Sequence, residues 1–296
     1  MEGTELRRSP AAATLAALRP RQWTKNGLLY AALVFSGGFA DPERWVPVSI
    51  GFVAFCLLSS TGYVYNDLRD APADREHPKK RLRPIANGDL SPRAAWMLMG
   101  LSFAAGLGLS WWVGPAFFGV ALAYFATTFA YSTVFKHHVI LDVMVLAACY
   151  LWRAVAGAVA LDVRISSWLL LCTAFLALFL GFNKRRGEIA ELGRGTGTRK
   201  SLAHYSPAML SEFQAITTSG TIISYALYTV DGSATPWLLL TLPHVLFGVF
   251  RYIYLMDQKG EGAAPDETLL KDRPIQITVV FYVLTAALVL SITGAS

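Results

Sequence analysis

Residues 65–88 read YNDLRDAPADREHPKKRLRPIANG and gather the carboxylates and cations best spaced to do chemistry. Asp67, Asp70 and Asp74 stand at i, i+3 and i+7. On a helix they fall within about 60° of one another, with Asn66 within about 40° of Asp70. Converging carboxylates repel unless a cation lies between them, and hard oxygen donors suit Mg2+. Mg2+ takes one or two carboxylates and completes its shell with water and phosphate oxygens, so the implied ligand is a metal–diphosphate. Lys79, Lys80, Arg81 and Arg83 follow at once. They offer direct phosphate contacts, arginine as a bidentate fork and lysine as a point charge. Pro72 is expected to kink or end the helix, which would bring Asp74 in from a loop or a new turn. A solvated loop whose charges only fix topology is the competing reading, and the regular carboxylate spacing beside an apolar run argues against it.

A second charged stretch, GFNKRRGEIAELGRGTGTRKSLAHY, spans residues 181–205. Lys184, Arg185 and Arg186 emerge directly from an apolar run, and Glu188 and Glu191 follow. This cluster suits an anionic group such as a phosphate head group, and equally suits the basic flank of a membrane span. Arg153, in YLWRAVAGA, lies within another apolar run. A charge there faces a polar cavity or a partner, or snorkels to an interface. Tyr131 and Lys136 close the preceding run and Asp142 opens that of Arg153, so these groups could line one cavity with the aspartates. His137 and His138 are adjacent, and their side chains diverge, so a shared metal is not expected. The three cysteines form no metal or redox spacing and read as core packing.

The elements that must position these groups are membrane helices. Of 296 residues, 54% are hydrophobic and only 16% charged, with mean hydropathy +0.43. Soluble domains carry about 25% charged residues. The apolar material falls into nine blocks, near 27–41, 45–65, 94–113, 115–135, 139–161, 166–183, 212–230, 235–255 and 275–293. Most approach the ~20 residues that cross a ~30 Å hydrocarbon core. The first is short and borrows from LAALRPRQWTKN before it. Nine spans put the N-terminal arm and loops 66–93, 136–138, 184–211 and 251–274 on one face. That face receives every one of the 26 Lys and Arg except Arg44, Arg153 and Arg164. The bias marks it as cytoplasmic. Residues 1–26 hold no uninterrupted apolar run and are not expected to be a cleaved signal. No hydrophilic segment is long enough for a separate core. The expectation is an all-α, polytopic membrane protein with residues 1–296 as a single catalytic domain.

These residues resemble the UbiA superfamily, whose first aspartate motif, N-D-x-x-D-x-x-x-D, is matched by Asn66, Asp67, Asp70 and Asp74. The resemblance covers essentially the whole chain. It implies a nine-helix bundle with an active-site cavity facing the cytoplasm, in which a prenyl group passes from a polyprenyl diphosphate to an aromatic acceptor. Members carry a second aspartate motif after the sixth helix. Here that place holds NKRRGEIAEL, basic first and with two glutamates. The exchange, with RPRQWTKN, KRLRPIANG, LWRAVAGAVA and LLKDRP, is similar to the decaprenyl-phosphate phosphoribosyltransferase branch.

That branch implies a Mg2+-dependent pentosyltransferase. Its donor is phosphoribosyl pyrophosphate (PRPP), its acceptor a polyprenyl phosphate, and its product feeds cell-wall arabinan. On this reading Asp67, Asp70 and Asp74 are the metal ligands and, with Asn66, the catalytic set. Lys25, Lys80, Arg81, Arg83, Tyr131, Lys136, Arg153, Lys184, Arg185, Arg186 and Glu188 are the substrate-binding candidates. The partners implied are PRPP, the lipid phosphate and the bilayer of the cell (inner) membrane. Nucleic acid is not among them, and a homo-oligomer is allowed. The alternative is an ordinary UbiA prenyltransferase. A carrier is a third reading, resting on Arg153 alone.

Overall fold

The computed structural model describes residues 8–192, 200–259, 268 and 271–293, and the described residues are helical with no strand. Glu191, which follows the basic run, and Lys200 and Lys259 have side chains outside the described set. The helices are α1 (Pro10–Leu18), α2 (Ala31–Phe35), α3 (Pro42–Glu76), α4 (Pro92–Val113), α5 (Pro115–Thr133), α6 (Leu141–Ala160), α7 (Ser167–Leu192), α8 (Pro207–Leu227), α9 (Leu242–Lys259) and α10 (Arg273–Thr293). Four begin on the same signal, a polar cap followed by proline. Ser9, Asp41, Ser91 and Ser206 each accept a backbone N–H of the first turn, with Pro10, Pro42, Pro92 and Pro207 next in line. The cap satisfies an orphan donor, and proline there has no N–H to lose.

Seven helices among the described residues are long and apolar enough to cross a membrane: α3 to α7, α9 with the turn before it, and α10. The protein is a multi-pass membrane protein. α8, richer in Ser and Thr, is as long but less apolar. The first expected span, 27–41, is not one α-helix. Residues Pro20–Tyr30 wind as a 3-10 helix into the short α2. A 3-10 helix rises about 2.0 Å per residue against 1.5 Å for an α-helix. The 16 residues from Pro20 to Phe35 therefore have a contour of about 30 Å, but this stretch, which carries Arg21 and Lys25, is not among the seven. It packs closely on α6. A Cβ at Gly157 would lie 2.1 Å from the Leu29 carbonyl oxygen, so glycine is required there.

Pro72 does not end α3, contrary to expectation: the helix runs unbroken to Glu76. Pro72 and Ala73 lie on its exposed side, where the ring meets no packed neighbour and the freed carbonyl can be hydrated. All three aspartates consequently ride one helix. The main core gathers Leu29, Leu33, Phe55, Leu58, Phe117 and Tyr124. Outside it, Leu101, Leu288 and Ile292 are largely exposed, as a hydrocarbon-facing surface requires. Trp45, Trp111, Trp112 and Trp237 are also exposed, at the helix ends opposite the charged loops. Tryptophan collects at membrane interfaces.

The loop after α3 folds back along it. Ile85 and Leu90 are buried with Val64 and Ala71 of α3, Ala95 of α4 and Ala17 of α1. The Leu90 N–H bonds the Pro84 carbonyl at 2.8 Å. This small core holds Arg83 over the end of α3.

Candidate functional site

Asp67 and Asp74 are two turns apart and point the same way, and both are buried, at 1% and 2% exposure. A carboxylate so placed needs a cationic partner or it neutralises. Arg83 supplies one to both. A single guanidinium nitrogen, Nη1, lies 3.1 Å from Asp67 Oδ1 and 2.7 Å from Asp74 Oδ2. Arg19 Nη2 meets the same Asp67 oxygen, Oδ1, at 2.5 Å, its guanidinium over the Tyr63 ring. Arg19 reaches this position as the left-handed C-cap of α1, with φ of 55°. Asp70 is turned about 60° away and more than a third exposed, with Arg69 at 3.3 Å and Lys136 at 3.7 Å. Asn66 donates to the Ser132 hydroxyl at 3.0 Å.

No three carboxylate, imidazole or thiol groups among the described residues converge closely enough to hold a metal by themselves. The donor chemistry nevertheless suits one Mg2+ bound through one or two carboxylates and completed by phosphate oxygens. Asp67 and Asp74 already share a cation between them, in the form of Arg83. Among the other basic-loop candidates, Arg81 is exposed and Lys80 half-buried. The Lys80 N–H meets the His77 ring at 3.3 Å. Lys25 bonds the Gln22 side chain and lies in the 3-10 segment rather than on the aspartate helix.

The basic end of α7 is built differently. Arg185 is fully buried. It pairs with Asp142 at 2.8 Å and Glu188 at 2.6 Å, and reaches the Tyr131 hydroxyl at 3.4 Å. Asp142, also fully buried, accepts further bonds from Tyr205 at 2.7 Å and Ser201 at 3.3 Å. Burial and the bond to Asp142 hold the Tyr205 hydroxyl well above its usual range, so it remains a donor. The network ties α5, α6, α7 and the segment before α8 together. Arg186 bonds Gln214 at 2.8 Å and Asp257 at 2.8 Å, while Lys184 beside them is half-buried. Of this network, the roles of Tyr205 and Ser201 left no trace in the local pattern. Asn183 is a further surprise: it is 1% exposed, and its Oδ1 has no partner among the described residues.

Arg153 does not snorkel. Its guanidinium donates to Asn26 at 2.7 Å, the Cys149 carbonyl at 2.9 Å and the Tyr124 hydroxyl at 2.9 Å, between the rings of Tyr124 and Tyr150. It pins the 3-10 segment to α6 and α5. The predicted candidates thus divide into an aspartate group around Arg83, an interior group around Arg185 and a separate knot around Arg153. The sequence reading passed over Arg19, although its position in RPRQWTKN, beside a proline, was a signal.

Comparison with known proteins gives this arrangement a context. Residues 27–271 match the UbiA prenyltransferase family. A decaprenyl-phosphate phosphoribosyltransferase of Mycolicibacterium smegmatis is 36% identical over 286 residues, covering 90% of this chain and 89% of its own. One from Corynebacterium glutamicum is 37% identical, covering 90% and 83%. The Mycobacterium tuberculosis protein of the same name is 34% identical, covering 93% of both chains. Among solved structures, a UbiA homolog from Archaeoglobus fulgidus bound to GPP and Mg2+ superposes with a TM-score of 0.73. It is 20% identical, with 94% of this chain and 99% of that chain covered. That likeness establishes the fold.

Proposed function

This chain belongs to the UbiA prenyltransferase family, and from that premise we propose that it transfers a 5-phosphoribosyl group from PRPP to a polyprenyl (decaprenyl) phosphate. The C1–O bond to pyrophosphate breaks, a C1–O bond to a lipid phosphate oxygen forms, and pyrophosphate leaves. Residues 1–296 act as one catalytic membrane domain in the cell membrane. The N-terminus and the loops of Asp67 and Arg185 face the cytoplasm, in line with the positive-charge bias. The observation that carries the reading is the buried Asp67–Asp74 pair bridged by a loop-borne arginine, in a chain whose relatives over about nine-tenths of its length bear that activity in their names.

Asp67 and Asp74, with Asp70 directly or through water, would hold Mg2+, which supplies charge neutralisation at the leaving pyrophosphate. Asn66, held by Ser132, orients the diphosphate. Arg83, with Lys80 and Arg81, would offer its donors to the phosphates. Stabilising the leaving group matters most, because departure from ribose C1 passes through an oxocarbenium-like state. The acceptor phosphate is already ionised at neutral pH and has to be placed rather than deprotonated. Arg185 and Glu188 serve by holding α5, α6 and α7 together, and Lys184 and Arg186 are the partly exposed cations of that cluster.

The test is purified protein with PRPP, decaprenyl phosphate and Mg2+, read by mass spectrometry, with EDTA and Asp67→Asn as controls. Phosphoribosyl lipid absent from both controls is expected. Folded protein that makes none, but prenylates an aromatic acid from a polyprenyl diphosphate, would transfer the site to ordinary UbiA chemistry.

A further inference from the structure

The corner between α1 and the 3-10 segment has a backbone conformation that its residue does not favour. Arg19 stands there with φ of 55° and ψ of 61°, in the left-handed region. Glycine is the usual residue for ending a helix this way, because it has no Cβ to crowd the following carbonyl. An arginine there is held against its backbone preference by what its side chain meets.

Three residues of α3 receive the corner. Ser60, Tyr63 and Asp67 stand at i, i+3 and i+7, within about 60° of one another on the helix. Ser60 is fully buried. It donates to the Leu18 carbonyl at 2.7 Å and accepts the Trp23 indole N–H at 3.0 Å, so it holds the chain on both sides of Arg19. The Arg19 guanidinium lies 5.1 Å from the Tyr63 ring centroid and ends on Asp67. A 3-10 helix of 11 residues is unusually long. Further ties to α3 set its register, from Asn26 to Cys56 at 3.3 Å and from Tyr30 to Ser49 at 3.1 Å. Arg83 is held differently, on the loop after α3, and it also serves Asp74. Both guanidinium groups meet Asp67 on one oxygen, Oδ1, and no described residue bonds Oδ2.

We propose that this corner is a positioning device for the aspartate site: Ser60 and Tyr63 seat Arg19 on Oδ1 of Asp67, so that Oδ2 is the oxygen presented to Mg2+. Arg19 then remains as counter-charge to the buried carboxylate while Arg83 offers its donors to phosphate. This rests on the reading of Asp67 as a metal ligand. Arg19 and Ser60 become positioning residues, neither touching the reacting atoms. A partner that orients a ligating carboxylate raises metal affinity as well as turnover.

The experiment uses the full chain in detergent, with Mn2+ in place of Mg2+ and inorganic pyrophosphate as the probe. Bound Mn2+ is read from the electron paramagnetic resonance signal of the free ion. Arg19→Gln should weaken pyrophosphate-dependent Mn2+ binding about ten- to a hundredfold, and Arg19→Lys should recover part of the loss. Arg19→Gly is the sharper variant, because it relaxes the left-handed corner. Its melting temperature should stay near that of the parent while Mn2+ binding falls as in Arg19→Gln. Ser60→Ala should shift binding the same way by a few-fold, through the lost hold on Leu18 and Trp23. KM for PRPP should follow Mn2+ binding across these variants, and KM for the lipid phosphate should not. Folded Arg19→Gln and Arg19→Gly proteins that bind Mn2+ like the parent would overturn the proposal and leave Arg19 a helix cap. A parent that takes up no more Mn2+ than Asp67→Asn would remove the metal-ligand reading and this proposal with it. Variants that lose Mn2+ as expected, in a parent that makes no phosphoribosyl lipid, would remove the phosphoribosyl reading alone.

Discussion

The end of α3 and the end of α7 both crowd opposite charges at the same membrane face, and they handle them in opposite ways. At α3 the buried members are carboxylates, Asp67 and Asp74, and the cations come from outside: Arg83 on a loop and Arg19 at a helix cap, both about a quarter exposed. At α7 the buried member is a cation, Arg185, enclosed by Asp142, Glu188, Tyr131 and, through Asp142, Tyr205 and Ser201. A cation on an exposed loop can be exchanged for another cation. One with no exposed surface, held by two carboxylates, cannot leave without stranding charge in a poor dielectric. The first arrangement suits a site that loads and releases a metal–diphosphate, the second a brace between helices.

The sharpest way to break this contrast is to remove the key side chain from each. Asp67→Asn should lower turnover by about a thousandfold or more, since it removes charge stabilisation at the leaving group. Its melting temperature should move far less than that of an Arg185 variant. A kinetic assay beside a thermal melt in detergent reads both. Arg185→Gln should do the reverse and destabilise the fold by about 3–5 kcal/mol, because Asp142 and Glu188 lose a buried partner. Adding Asp142→Asn to Arg185→Gln should recover part of that loss. An Arg185 variant that melts like the parent but has lost turnover would make the α7 end catalytic instead.

Arg83→Gln belongs between these extremes. It should cost about ten- to a hundredfold in turnover through the lost phosphate contact. Its effect on stability should be about 1–3 kcal/mol, because the buried Asp74 and Asp67 lose a shared charged partner, softened by the arginine's own partial exposure. KM for PRPP should rise, whereas a purely structural Arg83 would leave it unchanged. Arg81→Ala should be the mildest, within a few-fold of the parent, because the side chain is exposed on a loop. A loss as large as that of Arg83→Gln would show that the whole basic run closes on the substrate.

These contrasts also mark how far the chain can be read without its fold. The helical spacing of Asp67, Asp70 and Asp74 was visible, and with it the consequence that they share a helix side. Which of them would be buried was not, because burial depends on the loop carrying Ile85 and Leu90, which packs against residues of α1, α3 and α4 distant from it in the chain. Pro72 misled for the same reason: local rules forbid proline in a packed helix interior, but this one lies on the exposed side. The brace around Arg185 hides more deeply, since Asp142 and Tyr205 lie 43 and 63 residues from their respective partners, Arg185 and Asp142.

The sequence alone determined that this is a helical membrane protein, where most of its spans lie, which face gathers the positive charge and which helix carries the aspartates. Those properties follow from composition and from periodicities of a few residues. Only the tertiary structure decided that Arg83 and Arg19 guard Asp67, that Arg185 is enclosed, and that Arg153 binds Asn26, 127 residues away. The physical reason is that a charge settles on its partner only after helices distant in the chain have packed, and hydrophobic patterning sets which faces pack without naming the polar groups that meet between them.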